Sequence, residues 1–338
     1  MRFLVVHPGP AFAVSDVYDG WVEALTELGC SVAAFNLEDR LSFYAQAKIN
    51  RAGKMVQALT PDAAAILASK GLEAACYEFL PDVVLVVSCF YIPLAVLDLC
   101  RARGSRVVIL HLEEPYETDR ELERAARADL NLINDPTHLD QFTAVAPTVY
   151  MPAAYRPAIH RPGPPDPAAT SDFAFVGTGF PARVELLETV GWSGIDVALA
   201  GNWQTLEPGS PLRKFLAHDI AECCPNSETL RLYQSTKASM NQYRREISEG
   251  GTSEGWSLSP REVELAATGT FFLREARGEG DEVLPMLPTF RGPGDFEDQL
   301  RWWLAHDQAR ADVAAAARAA TADRTFTSNA RRLLELLG

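Results

Sequence analysis

SLSPREVELAATGTFFLR, residues 257–274, reads as one capped helix running into a strand. Ser259 is a good N-cap, and Pro260 falls at the first helical position, where its missing N–H costs nothing. Glu262 lies three residues after Ser259 and completes a Ser-x-x-Glu capping box. Gly269 supplies a left-handed C-cap, and Phe271-Phe272-Leu273 opens the next strand. A glycine-rich loop, Glu249 to Gly255, leads into the helix start.

The same alternation extends upstream through the C-terminal half. Strands are expected at Phe173–Val176, Asp196–Ala200, Ala238–Asn241 and Thr270–Arg274, with helices at Ala182–Thr189, Ser227–Ser235 and Ser259–Thr268. Three helices, Phe296–Ala305, Gln308–Ala320 and Thr327–Leu337, close the chain. The N-terminal half follows the same rhythm. Val83–Ser88 (VVLVVS) is a continuous apolar run, as a strand buried on both faces of a parallel sheet requires. Phe3–His7, Ser31–Phe35, Val107–Leu112, Leu130–Ile133 and Thr148–Met151 read as further strands. Val17–Leu28, Pro61–Phe79, Leu94–Arg103, Glu121–Arg127 and Pro136–Phe142 read as the helices between them. Strands and helices alternating at this spacing imply parallel βαβ units.

Between the halves, Pro152 to Pro167 holds six prolines, which break helices and favour an extended path. The 338 residues exceed what one core comfortably supports. The expected architecture is therefore α/β with two Rossmann-like domains. The first covers residues 1–151, a linker 152–170, and the second 171–324. A final helix, 325–338, is free to cross back to the first domain. Open parallel sheets bind ligands beyond the carboxyl ends of their strands.

The helix opening at Ser259 is the first candidate for chemistry. A helix start presents free N–H groups and the positive end of a dipole, which suits a diphosphate. Arg261 and Glu264 are three apart and share a face. Arg261 can pair with a phosphate, and Glu264 can accept hydrogen bonds from two ribose hydroxyls. The same pattern also suits a capped surface helix on which Arg261 and Glu264 pair with each other.

The Pro260-Arg261…Glu264…Gly269 spacing resembles the C-terminal signature of the CgeB-type (spore maturation protein) glycosyltransferase family. The resemblance extends over Asp172–Gly177 with Arg183, Ala200–Trp203, Tyr233–Lys237 through Asn241, Asp295–His306 and Thr325–Arg331. It also takes in Met151–Tyr155. It implies the GT-B fold, in which two Rossmann-like parallel-sheet domains face a central cleft. The N-terminal domain then serves the acceptor and the C-terminal one the nucleotide-sugar donor. It further implies a donor site built from Gly177, Gly179, Arg183, Asn241, Ser259, Arg261 and Glu264. The wider GT-B group pairs the helix glutamate with another seven or eight positions earlier. Here those positions hold Ser257 and Trp256, with Glu254 close by. Trp203 suits either the donor base or the core.

Inverting enzymes of this kind need a general base from the N-terminal domain. Glu113 and Glu114 follow a buried strand and precede Pro115, and rank first. Asp16, with Asp19, ranks second, and His7 third. Each also has a structural reading: Asp16 as the cap of the Val17 helix, His7 as a satisfied core histidine, and Glu113 or Glu114 as a helix cap. A retaining enzyme needs no such base. Helix dipoles and basic side chains take up the phosphate charge in such enzymes. No metal and no cofactor is expected beyond the co-substrate, a UDP-, GDP-, ADP- or dTDP-linked sugar. The acceptor is open: a protein, a glycan, a small molecule or a modified nucleobase. The alternatives are a nucleotide-sugar epimerase or hydrolase on the same fold, and a non-catalytic nucleotide- or carbohydrate-binding protein.

Composition narrows the remaining classes. A net charge of −14 argues against broad nucleic-acid coating. The six cysteines show no zinc-ligand spacing. No apolar stretch has the roughly 18 residues of a membrane span, and the N-terminus reads as a strand instead of a signal peptide. The expected compartment is a reducing cytoplasm. Walker, GxGxxG and GxSxG motifs are missing, which disfavours NTPase, dehydrogenase and serine hydrolase readings.

Overall fold

Apolar runs buried on both faces organise the chain, as the computed structural model shows for residues 1–9, 12–218, 224–247 and 250–338. Two units result. One comprises Met1–Pro152, Arg245–Trp256 and Phe326–Gly338; the other comprises Ala153–Arg244 and Ser257–Thr325.

In the first unit the order is β1 (Arg2–Val6), α1 (Phe12–Glu27), β2 (Ser31–Phe35), α2 (Leu37–Ala45), β3 (Lys48–Arg51), β4 (Lys54–Gln57), α3 (Pro61–Phe79) and β5 (Val83–Val87). There follow α4 (Leu94–Ala102), β6 (Arg106–His111), α5 (Thr118–Ala125), β7 (Leu130–Ile133), α6 (Leu139–Val145) and β8 (Thr148–Tyr150). Six strands make a parallel sheet in the order β2-β1-β5-β6-β7-β8. Every residue of β5 is buried, which explains its unbroken run of valine and leucine. Register pairs His111 at the end of β6 with Ile133 at the end of β7. The segments that leave those two strands therefore emerge side by side.

Four elements of this unit depart from the sequence expectation. α2 follows β2 directly, capped by Asn36, whose side chain accepts from Asp39 N. β3 and β4 form an antiparallel hairpin whose residues are all exposed, so neither face carries an apolar alternation. α1 begins at Phe12, which puts Asp16 inside the helix and removes it as a cap.

The second unit runs β9 (Ser171–Val176), α7 (Pro181–Thr189), β10 (Val197–Ala200), α8 (Asn226–Ser235), β11 (Thr236–Asn241) and α9 (Pro260–Thr268). It continues through β12 (Phe272–Arg274), α10 (Gly278–Val283), α11 (Pro293–Leu304) and α12 (Asp307–Ala320). Its four strands are parallel, in the order β10-β9-β11-β12. Strand order reverses between β9 and β11, so the crevice beyond Val176 and Asn241 is the topological switch point of this sheet. Phe173, Phe175, Trp203, Phe272 and Phe296 fill the core beneath it. The proline-rich segment is pinned along α8: Asp166 N donates to Ser235 Oγ at 2.9 Å, and Gln234 Nε2 donates to Arg161 O at 2.7 Å. Among the described residues no helix is long and apolar enough to cross a membrane.

The last helix, α13 (Phe326–Leu337), belongs to the first unit and packs on α1, with Phe326 edge-on to Trp21 at 6.3 Å. Arg106 Nη1 donates to Leu337 O at 2.5 Å and fixes its far end. Gly20 makes the contact possible, because a Cβ there would land on the Phe326 ring. Gly20→Ala gains about 1 kcal/mol of helix propensity. Overpacking at about 1–3 kcal/mol should outweigh it. Urea unfolding should show Gly20→Ala destabilised. Phe326→Ala should lose about 3–5 kcal/mol, and the double variant should lose less than the sum of the two. Strict additivity would mean that the two residues do not touch.

Candidate functional site

Arg261 is the centre of the second unit's crevice. In the first turn of α9, its Nε donates to Val176 O at 2.9 Å and its Nη1 to Asn241 Oδ1 at 2.9 Å. Those partners are the last residues of β9 and β11, so the guanidinium spans the switch point. It also lies 4.7 Å from the Phe175 ring centroid, near the buried Tyr233. A Cβ on Gly177 would fall on Arg261 Nη2, which is why that position has no side chain. Gly201, at φ +101°, presses on the Gly177 backbone with the same consequence. Asn241 is fully buried. Its Oδ1 faces Arg261, and its Nδ2 has no hydrogen-bond partner among the described residues.

The other candidate donor residues surround this core. Gly179 gives its N–H to Asn202 O at 2.8 Å and leaves room for Trp203, whose ring a Cβ would meet at 2.5 Å. Trp203 is itself a core residue, fully buried, with Nε1 donating to Ala200 O at 2.9 Å. Arg183 is buried beside Phe175 and Phe180. Its Nε and Nη2 donate to Gln242 O at 3.1 and 2.6 Å, and its Nη1 to Thr178 O at 2.9 Å. It thus braces the glycine turn against the segment leaving β11. Glu264 is half-buried on α9, with an oxygen within 4.8 Å of a ring nitrogen of His160.

Ser259 forms the capping box with Glu262: its Oγ accepts from Glu262 N at 3.4 Å, and Glu262 Oε2 accepts from Ser259 N at 2.9 Å. Glu262 does more than cap. It is completely buried, accepts from the Tyr243 hydroxyl at 2.5 Å, and pairs with Arg274 at 3.3 Å. Burial pushes its carboxyl up, and the Tyr243, Ser259 and Arg274 contacts pull it back. Burial, aided by Glu262, also raises the Tyr243 hydroxyl. Leu258 N goes to Glu279 Oε2 at 2.7 Å, and Pro260 has no N–H. The start of α9 therefore offers a dipole and a fixed guanidinium more than a fan of free amides. Tyr243, Arg274 and Glu279 escape a sequence reading because their partners are distant along the chain.

In the first unit, acidic groups gather where β6 and β7 end. Glu114 is buried; its Oε1 meets His138 Nδ1 and accepts from Thr118 Oγ1 at 3.3 Å. Burial raises its carboxyl, opposed by His138 and Thr118. Glu113 is half-buried, and its N–H donates to Glu121 Oε1 at 3.1 Å. Burial holds Glu121 well above the ordinary carboxyl range, and Glu114 and Glu113 add to the shift. His111 Nε2 donates to Asn131 Oδ1 across 2.8 Å, and burial lowers the imidazole to about 4. Asp135 is buried and accepts from Thr137 N at 3.0 Å and Trp256 N at 2.8 Å. Asp16 is buried within α1, while Asp19 is exposed. His7 accepts from Gly9 N at 3.1 Å, lies 3.3 Å from Ser15 Oγ, and is lowered by burial.

Comparisons place the architecture among known folds. Residues 183–337 match the model of a family described as "Glycosyl transferase-like". The sucrose-phosphate synthase of Thermosynechococcus elongatus superposes with a TM-score of 0.66 at 12% identity, over 100% of this chain and 98% of its own. The E. coli trehalose-6-phosphate protein bound with UDP-2-fluoro glucose gives 0.62 at 12%, over 100% and 99%. A protein assigned as a UDP-N-acetylglucosamine 2-epimerase, from Listeria monocytogenes, gives 0.58 at 13%, over 99% and 94%. No curated relative matches by sequence. The fold is GT-B, and the family match together with the fold supports glycosyl transfer.

The buried Glu121 sets a pH dependence. An acid whose folded pKa is raised above its ordinary 4.5 favours folding when protonated, so stability falls as pH climbs from there towards the folded value. Glu121→Gln removes that loss. Its melting temperature should match the unsubstituted protein near the ordinary carboxyl pKa and exceed it increasingly towards pH 8. A constant difference across that window would show that Glu121 is not held neutral.

Proposed function

We propose that this chain is a metal-independent glycosyltransferase of the CgeB type, taking a hexose from a nucleoside-diphosphate sugar held by its second unit. The acceptor binds the first unit. The observation that carries the reading is the Arg261 guanidinium, fixed between Val176 O and Asn241 Oδ1 at the switch point of the sheet. A cation already immobilised there loses little entropy on pairing with a diphosphate. The α9 dipole adds to it, and Gly177 and Gly179 keep side chains away from the approach. Glu264, on the Arg261 face of α9, accepts from the ribose hydroxyls. Arg183 acts as a brace for the turn. As the bond from the anomeric carbon to the diphosphate breaks, charge grows on the leaving oxygen, and preorganised donors stabilise that charge more than the ground state. The UDP-2-fluoro glucose on the E. coli neighbour supports a sugar nucleotide as the ligand class.

A second reading, a sugar-nucleotide epimerase or hydrolase, draws on the Listeria neighbour. Conversion of the donor alone into an epimer or free sugar, with no gain from any acceptor, would favour it.

Thermal shift against UDP-, GDP-, ADP- and dTDP-glucose tests the donor site. A bound donor raises the melting temperature by mass action. Arg261→Ala should weaken the responding nucleotide about 10- to 100-fold, the equivalent of a charged hydrogen bond worth roughly 1.5–3 kcal/mol. Glu264→Ala should weaken it about tenfold or more. Unchanged affinity in both folded variants would remove the site assignment.

A further inference from the structure

We propose that the β3–β4 ribbon of the first unit is a peripheral docking surface for an anionic phospholipid bilayer. The inference goes beyond the donor-site reading and does not depend on it.

The ribbon is free-standing. β3 and β4 pair only with each other, and every residue of both strands is exposed. Ala52 and Gly53, at φ +52° and +78°, make the tight turn between them. Ala58 N donates to Ala47 O at 2.8 Å and closes the base. A two-stranded ribbon on its own is marginal in water, so it gains from being covered. Its apolar side chains stand in solvent: Met55 is 63% exposed and Ile49 52%, with Val56 exposed beside them. Phe43, on α2 just ahead of the ribbon, is 74% exposed. Four such side chains in one short stretch differ from the single exposures that any surface carries.

Charge separates this stretch from the rest of the molecule. No acidic residue lies between Asp39 and Asp62, in a chain of net charge −14. Lys48, Arg51 and Lys54 are the cations of the ribbon, and among the described residues no carboxylate pairs with any of them. Arg40 is engaged elsewhere, 4.8 Å from the Phe35 ring centroid. The flanking acids stand outside the ribbon, Glu38 and Asp39 in the first turn of α2 and Asp62 in that of α3.

The distribution over the two faces selects the occupant. Cross-strand partners of an antiparallel ribbon share a face. Ile49, Arg51, Lys54 and Val56 therefore lie on one face, and Lys48, Asn50, Met55 and Gln57 on the other. Each face mixes apolar with cationic groups. A protein partner covers one face and leaves the other wet. The interfacial layer of a bilayer surrounds a ribbon: aliphatic groups enter the acyl boundary while Lys and Arg reach back to the phosphates. That layer is hydrated, so the open ribbon edges keep hydrogen-bonding partners. Anionic lipid supplies the complementary charge. The acidic remainder of the chain opposes it only within a Debye length, about 8 Å at physiological salt. The attachment is reversible and crosses nothing.

Co-sedimentation of the full chain with vesicles tests the proposal. The chain should bind vesicles of equal parts phosphatidylcholine and phosphatidylglycerol, should not bind phosphatidylcholine alone, and should be released at about 0.5 M salt. One lost cation should lower the partition coefficient about fivefold. Lys48→Gln, Arg51→Gln and Lys54→Gln together should lower it about 100-fold. Ile49→Ser with Met55→Ser should lower it about tenfold or more. These positions are exposed, so the melting temperature should hold in every variant. Amide exchange across residues 48–57 should slow when the mixed vesicles are added. No binding to the mixed vesicles, equal binding to both kinds, or a triple variant within a few-fold of the unsubstituted chain would overturn the proposal. Slowed exchange across 48–57 in concentrated protein without lipid would also overturn it, by assigning the ribbon to a second copy of the chain. Release from the vesicles by millimolar glycerol phosphate would do the same, by assigning the cations to a soluble phosphate. A chain that binds no sugar nucleotide leaves each of these outcomes unchanged.

Discussion

The close approach of Arg261 to Gly177 is the constraint on which the second unit's crevice depends. Three strand ends converge there: Val176 and Asn241 supply acceptors to the guanidinium, and Gly201 closes on the Gly177 backbone from β10. Any side chain at Gly177 would displace the cation, and one at Gly201 would push on the turn that seats it. Phe175 lies beneath both Arg261 and Arg183, within 4.7 and 5.4 Å, so two guanidinium groups share one aromatic platform. The site is thus built on rigid strand ends, where displacement of one residue is felt by the others.

A second constraint lies under the first. Glu262 is a buried carboxylate that joins the α9 start to Tyr243, beyond β11, and to Arg274, at the end of β12. Breaking a buried pair of this sort leaves an uncompensated charge, at about 3–5 kcal/mol. The network also neutralises much of the helix start from within. Recognition of an anion at α9 consequently falls to the guanidinium more than to backbone amides, and this explains why one arginine carries so much of the proposed function.

Local signals made much of this legible in the sequence. The capping box of Ser259 and Glu262 and the Gly269 cap, at φ +76°, depend on neighbours a few residues away, and a sequence displays them directly. The buried valine run of β5 is equally visible. What stayed hidden depends on distance. Arg183 is tied to a carbonyl 59 residues on, so a reading of its own helix could not show that it points inward. The His138–Glu114 contact needs the register of β6 against β7. The β3–β4 hairpin has no buried face, hence no periodicity to find, and Asp16 resembled a cap only because α1 begins earlier than its apolar stripe.

A structure of the protein with UDP-2-fluoro glucose, or with whichever nucleotide sugar gives the largest thermal shift, tests the central claim most directly. The diphosphate should contact the Arg261 guanidinium beside Gly177, with the ribose hydroxyls on the Glu264 carboxylate. A nucleotide bound elsewhere, with Arg261 still joined only to Val176 and Asn241, would contradict it.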